Sequence, residues 1–380
     1  MIYLDHSATT PVDPRVVDAM APYWTEMYGN PSSVYSLGRR SAAALEDARR
    51  TVARILNAQP TEIVFTSCGT ESDNLAIRGT ALAAAAKGRR HLITTPIEHH
   101  AVLHTVADLV ERFDFEVTHV PVDRSGLVDP DGVRAAIRPD TALISVMLAN
   151  NEVGTIEPVA EIGAIARQFG VPFHTDAVQA AASMALDVEA LQVDLLALSA
   201  HKFHGPKGVG LLYVRKGTRL GPVQTGGSQE RGRRAGTENV PYIVGMARAL
   251  ELSAEDRAAE FARLLALRER LLAGILARIP DVELTGHRER RLPGHLSLIV
   301  RGVEAQSLLI ALDLAGIAAS SGSACASGAP TPSGVLRAMG YAPDEALGAL
   351  RLTLGRSNSE ADVDTVLEQL PEIVKRVRGA

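Results

Sequence analysis

The chain has 380 residues, a formal net charge of −5, 46 % apolar and 22 % charged residues, and two cysteines. That length suffices for two domains with cores of their own, in the mixture of an ordinary globular protein. The mild acidity gives no electrostatic footprint for nucleic acid, two cysteines make neither a disulfide framework nor a zinc array, and the longest small-residue run, "ALAAAAKG", is too short to cross a bilayer. The opening "MIYLDHSATTPVDP" has no basic region followed by an apolar run, which points to a cytoplasmic protein without a signal peptide.

From about residue 60 to 215, short β-branched runs alternate with helical segments. "EIVFT" precedes a helix from Glu71 to about Lys87, and "HLITT" precedes one from about His99 to Arg112. "FEVTHV", "TALISVML", a helix ending near Phe169, "VPFHTD", "VDLLALS" and "GVGLLYV" follow. This alternation predicts an α/β domain with a mostly parallel sheet, whose ligands bind at the carboxyl ends of its strands. A long helix is expected over roughly Val240 to Ile279. "DVELTG", "HLSLIV" and "LRLTL" then alternate with helices near 304–315, 333–339 and 359–378, the texture of a smaller α+β domain.

The strand ends carry the chemistry. Lys202 follows an apolar strand in "VDLLALSAHKFHGPKGVG", where a scaffolded lysine can lose its proton and form a Schiff base, or stand as a surface lysine in a loop. Asp176 in "VPFHTDAVQAA" suits a ring nitrogen that must stay protonated, or a helix N-cap; Gln179 stands three residues on. In "EIVFTSCGTESDNLAIRG", Ser67, Gly69, Thr70 and a helix start can cradle a phosphate, although a Thr70-x-x-Asp73 capping box accounts for the same residues. His99 and His100 follow another strand, with His104 one turn on; without a third ligand or an HExxH pattern, a ring stacked on an aromatic cofactor fits better than zinc, and a solvated histidine pair is the plain alternative. Lysine, aspartate, histidine and a phosphate-type turn at the strand ends of one sheet are what a pyridoxal phosphate enzyme needs.

The chain resembles the cysteine desulfurases of the class V aminotransferase group, pyridoxal phosphate enzymes of fold type I. The resemblance rests on "YLDHSATTP", "FTSCGTESDNLAI", "EHHAVL", "ANNEVGTIEP", "HTDAVQA", "SAHKFHGPKGVG", "GGSQERGRRAGTEN" and "SSGSACASG", which occur in order from Tyr3 to about Arg356. The last has the form of the group I subclass. The resemblance implies a seven-stranded, mostly parallel sheet in a large cofactor domain, residues 14–257. Residues 1–13 and 258–380 make a small domain carrying a cysteine loop at about 320–334.

It also implies roles. Lys202 bears the Schiff base, Asp176 faces the pyridinium nitrogen, Gln179 the ring hydroxyl, and His99 stacks on the ring and shuttles a proton. Gly69, Thr70, Ser199 and His201 hold the phosphate, and Thr237 reaches it from the partner of a homodimer. Asn151 sits beside the ring, and Arg351 with Asn30 grips the substrate carboxylate, with Arg356 as the lesser candidate. Cys325 takes the sulfur of L-cysteine as a persulfide and passes it to an acceptor protein for iron–sulfur cluster assembly or other sulfur transfer. Its Gly/Ser/Ala surroundings are those of a flexible tether. Within the group, a selenocysteine lyase or an aminotransferase is the nearest alternative. An accessory binding protein is the non-enzymatic one. Cys68 stands where the family usually has glycine.

Overall fold

The computed structural model describes residues 1–322 and 332–379. Among these residues the central sheet has seven strands: β1 (Ile63–Thr66), β2 (His91–Thr94), β3 (Glu116–His119), β4 (Thr141–Ser145), β5 (Phe173–Asp176), β6 (Leu195–Ser199) and β7 (Gly210–Val214). Their spatial order is β1-β7-β6-β5-β4-β2-β3. The run from β6 to β3 is parallel, while β7 lies antiparallel to both β6 and β1. Every strand but the edge strand β3 is buried at every position. That explains the unbroken apolar runs: a parallel sheet covered on both faces has no polar side to show.

Helices α1 (Ser36–Leu56), α2 (Gly69–Ala85), α3 (His100–Phe113) and α4 (Val159–Phe169) belong to this layer. Helix α1 lies before the first element expected from the sequence. Its buried stripe of Leu45, Ala48, Val52 and Leu56 is interrupted by Arg49, whose guanidinium is buried against Glu230 at 2.8 and 2.9 Å.

The 39-residue helix α5 (Val240–Arg278) links two apolar cores. Its first half puts Ile243, Met246 and Leu250 into the core beneath the central sheet. Its second half puts Leu264, Leu271 and Ile275 into a separate core. That second core is floored by an antiparallel sheet of β8 (Val282–Leu284), β9 (His295–Val300) and β10 (Ala349–Thr353), in the order β10-β9-β8. Helices α6 (Ala305–Leu314) and α7 (Glu360–Val377) pack on it. The N-terminal Ile2–Tyr3 pairs in parallel with Ile317–Ala318, and Leu4 enters the second core. The chain start is thereby carried past the carboxyl ends of the central strands, where Thr10 bonds to the carbonyl of His201 at 3.0 Å.

Candidate active site

A cavity of about 480 Å³ opens at the carboxyl ends of β1, β2, β5 and β6. Its walls include Gly69, Thr70, His99, Asn151, Asp176, Gln179, Ser199, His201, Lys202 and Arg351. Ten of the residues singled out in the sequence thus meet in one place.

At one end lies the start of α2. Its first backbone N–H groups have no partner within the helix, and they carry the positive end of its dipole. The helix begins at Gly69 and its N-cap is Cys68, so Thr70 and Asp73 lie inside it and form no capping box. A Cβ on Gly69 would crowd Val178 Cγ2 at 3.0 Å and Ser199 Cβ at 3.3 Å, so glycine lets the helix start stand this close to β6. Glu71 accepts from the Ser67 N–H at 2.7 Å and pairs with Arg234 at 2.8 Å, which leaves the cavity side of this turn for an anion.

At the floor is Asp176, the last residue of β5. One carboxylate oxygen accepts from Val178 N–H at 2.9 Å, a local turn rather than a helix cap. Burial raises its pKa, and the nearby His99 and Lys202 pull it back down. His99 is the N-cap of α3; its Nδ1 accepts from Ala101 N–H at 3.1 Å, so the neutral ring carries its proton on Nε2. Burial lowers its pKa against the pull of Asp176.

Lys202 follows β6 on a single 3-10 turn. Burial and the positive Arg351 bring its pKa down to about 8. Its amine donates to the carbonyls of Ser7 and, at 2.8 Å, Ala8. His201 is pushed to about 4, chiefly by burial, and bonds Thr9 Oγ1 at 3.1 Å. Gln179 donates to the carbonyl of Ser7 at 2.9 Å.

The rim comes from the second core. Arg351, on β10, is 5 % exposed; it donates to Asp5 at 2.7 Å and to the carbonyl of Asn151 at 2.9 Å, while its Nε has no partner among the described residues. Ser320 and Gly322 also line the cavity, and Ser333 bonds the carboxylate of Glu152. Cys325 lies outside the described residues.

Three of the expected residues stand elsewhere. Asn30 is exposed and its side chain accepts from Ser32 N–H at 2.9 Å. Thr237 is exposed, outside the cavity wall. Arg356 pairs with Asp13 at 3.0 Å and Asp256 at 3.2 Å and lines a smaller cavity of about 70 Å³. Sequence reasoning assigned no role to Asp5, Ser7, Ala8 or Glu152, and gave Asp73 only a place in a helix cap. The quoted motifs "YLDHSATTP" and "ANNEVGTIEP" contain the first four, but two of those four act through carbonyls, which any residue supplies.

The residues fit pyridoxal phosphate: a glycine-opened helix start for the phosphate, a buried carboxylate on the floor, a flat imidazole and an amine of lowered pKa share one cavity. Residues 2–366 match the class-V aminotransferase family. The chain is 53 % identical over 378 residues to a cysteine desulfurase IscS of Methanosarcina thermophila, covering 100 % of this chain and 93 % of that one. Among solved structures, a NifS-like protein superposes with a TM-score of 0.92 at 40 % identity, covering 99 % of both chains. SspA in complex with cysteine does so at 0.83 and 35 %, covering 93 % of this chain and 99 % of that one. The chain belongs to the class-V aminotransferase family, as a pyridoxal phosphate-dependent cysteine desulfurase.

Proposed function

We propose that the cavity at the strand ends converts L-cysteine to L-alanine with its sulfur delivered to Cys325, and that the residues divide the work as follows. Lys202 attaches the cofactor and moves the proton at the substrate Cα, a task suited to an amine whose pKa lies near 8. Gly69, Thr70, Ser199, His201 and the α2 N-terminus hold the phosphate. Asp176 keeps the ring nitrogen protonated, Gln179 faces the ring hydroxyl, Asn151 lies beside the ring, and His99 covers it and carries a proton on Nε2. When bound, the cofactor supplies the electron sink for charge released at the substrate carbons.

Arg351 takes the substrate carboxylate, with Asn30 assisting, and its buried Nε, without a partner among the described residues, supports that role. Cys325, as thiolate, attacks the substrate sulfur. The S–S bond forms as the C–S bond breaks; that bond's electron pair stays with the carbon, which is protonated and leaves as alanine.

The subunit reads as two domains, 14–257 and 1–13 with 258–380, working as a cytoplasmic homodimer. Exposure of Tyr28 at 68 %, Val34 at 87 % and Tyr35 at 56 % beside Asn30, with Thr237 on the surface, supports a partner subunit there. The persulfide then passes to a protein acceptor, an iron–sulfur scaffold or a thiolation protein. The observation that carries the reading is the convergence of Lys202, Asp176, His99 and Arg351 on one cavity. Turnover of L-cysteine to alanine and sulfide tests it: Lys202→Ala and Cys325→Ala each lose about a thousandfold in rate. Full sulfide release by Cys325→Ala overturns the sulfur route.

A further inference from the structure

Behind Asp176 lies a buried pair that the roles above leave unused. Asp73, on the second turn of α2, is 1 % exposed and reaches the cavity wall. His174, on β5, is fully buried; it stands two residues before Asp176, a spacing that puts both side chains on one face of the strand. Asp73 Oδ1 lies 3.4 Å from His174 Nε2, and neither atom has a hydrogen-bond partner among the described residues. On its far side the imidazole meets Ser145 Oγ, on β4, through Nδ1 at 2.9 Å. Two orphaned buried polar atoms that face each other need one proton between them, because leaving either unsatisfied is costly.

The question is which group brings that proton. An ionised carboxylate out of water is stable only beside a cation or several donors. Among the described residues no lysine or arginine is in ion-pair range of Asp73. The groups that face it are acidic or neutral: Asp176 at the end of β5, Glu98 after β2, and the Cys68 thiol at the head of α2. Its imidazole partner is held uncharged by burial. Asp176 differs, because His99 and Lys202 stand over it on the cavity side. Two buried carboxylates of which one opposes the other's ionisation do not both ionise, and the charge goes to the one with cations beside it.

We propose that Asp73 is a positioning residue held as a neutral carboxylic acid, its O–H donating to His174 Nε2 while His174 Nδ1–H donates to Ser145 Oγ, so that the single negative charge at the cavity floor resides on Asp176. The proposal rests on the reading of Asp176 as the partner of the ring nitrogen. It gives that carboxylate a rigid, uncharged backing in place of a competing charge. Glu98 raises no objection, since burial keeps it protonated up to a pKa of about 8.

Two readouts test it in the holoenzyme. In the infrared difference spectrum of wild type minus Asp73→Asn at pH 7, a neutral Asp73 appears as a protonated-carboxyl C=O band; carboxylate bands in its place overturn the proposal. In the pH titration of the bound cofactor's absorbance, Asp73→Asn, which keeps a donor toward His174 and adds no charge, leaves the midpoint in place. Asp73→Leu, which orphans His174, lowers the melting temperature and moves the midpoint. A shift of a full pH unit or more in Asp73→Asn shows that a negative neighbour was removed and also overturns the proposal. Asp176→Asn is the separate check: if it leaves the cofactor's spectrum and affinity unchanged, the cofactor reading of the floor fails, while the infrared result on Asp73 stands or falls independently.

Discussion

The two walls of the cavity are built on opposite plans. On the strand-end wall, the acidic groups and the head of α2 have few partners, while Lys202, Gln179 and His201 are held by Ser7, Ala8 and Thr9. Among the described residues, Asp176 has one backbone donor, Asp73 Oδ1 and, behind the wall, Glu98 Oε2 have none, and the first N–H groups of α2 are open. On the rim contributed by the second core, Arg351 is already engaged by Asp5 and by the carbonyl of Asn151. The first wall is arranged for a resident ligand that stays; its desolvation cost is met during folding and offset when the cofactor binds. In the proposed role of Arg351, the second holds an exchangeable pair: an incoming carboxylate would replace one anion with another and leave no bare guanidinium between turnovers.

If that contrast is right, the largest effect falls on the rim. Arg351→Ala, which removes the charge-assisted contact proposed for the substrate carboxylate, raises KM for L-cysteine by roughly 100-fold with a smaller change in kcat. A change confined to kcat would place the carboxylate elsewhere.

Next comes the buried layer behind the strand-end wall, through pH. Glu98 has a folded-state pKa of about 8, raised chiefly by burial, against about 4.3 in an unfolded chain. Between these values the unfolded state has released a proton that the folded state keeps. Stability therefore falls as pH rises from about 5 to 8, by up to ~1.4 kcal/mol per pH unit from this residue. Glu98→Gln can keep the bonds that Oε1 accepts from Thr95 Oγ1 and Met147 N–H, and it flattens that slope in urea titrations across the range. An unchanged slope means that Glu98 is ionised in the fold.

The smallest effect is the mirror of the first. Asp5→Asn removes the anion that competes for Arg351 and lowers KM by a few-fold. A raised KM instead means that Asp5 orients the guanidinium rather than occupying it.

Much of the central sheet was legible because its strands are short apolar runs bounded by turns, and the rule that ligands sit at strand carboxyl ends singled out Lys202, Asp176 and His99. The reversal of β7 was not, since a fully buried strand reads the same in either direction. Helix α1 was hidden by Arg49, a charge on its buried face whose partner Glu230 stands 181 residues away. The Asp73–His174 pair was closed for the same reason: each half lies inside a motif, but the contact exists only once α2 packs on β5. The carbonyls of Ser7 and Ala8 leave no mark in a side-chain sequence at all.

The central claim is that this cavity moves sulfur from L-cysteine to Cys325. A single turnover of the holoenzyme with one equivalent of L-cysteine, followed by mass spectrometry of its peptides, tests it most directly. The account predicts one added sulfur atom on the Cys325 peptide, none on the Cys68 peptide, and alanine in equal amount. Alanine formed with the added sulfur on Cys68, or with none on either cysteine, would contradict it.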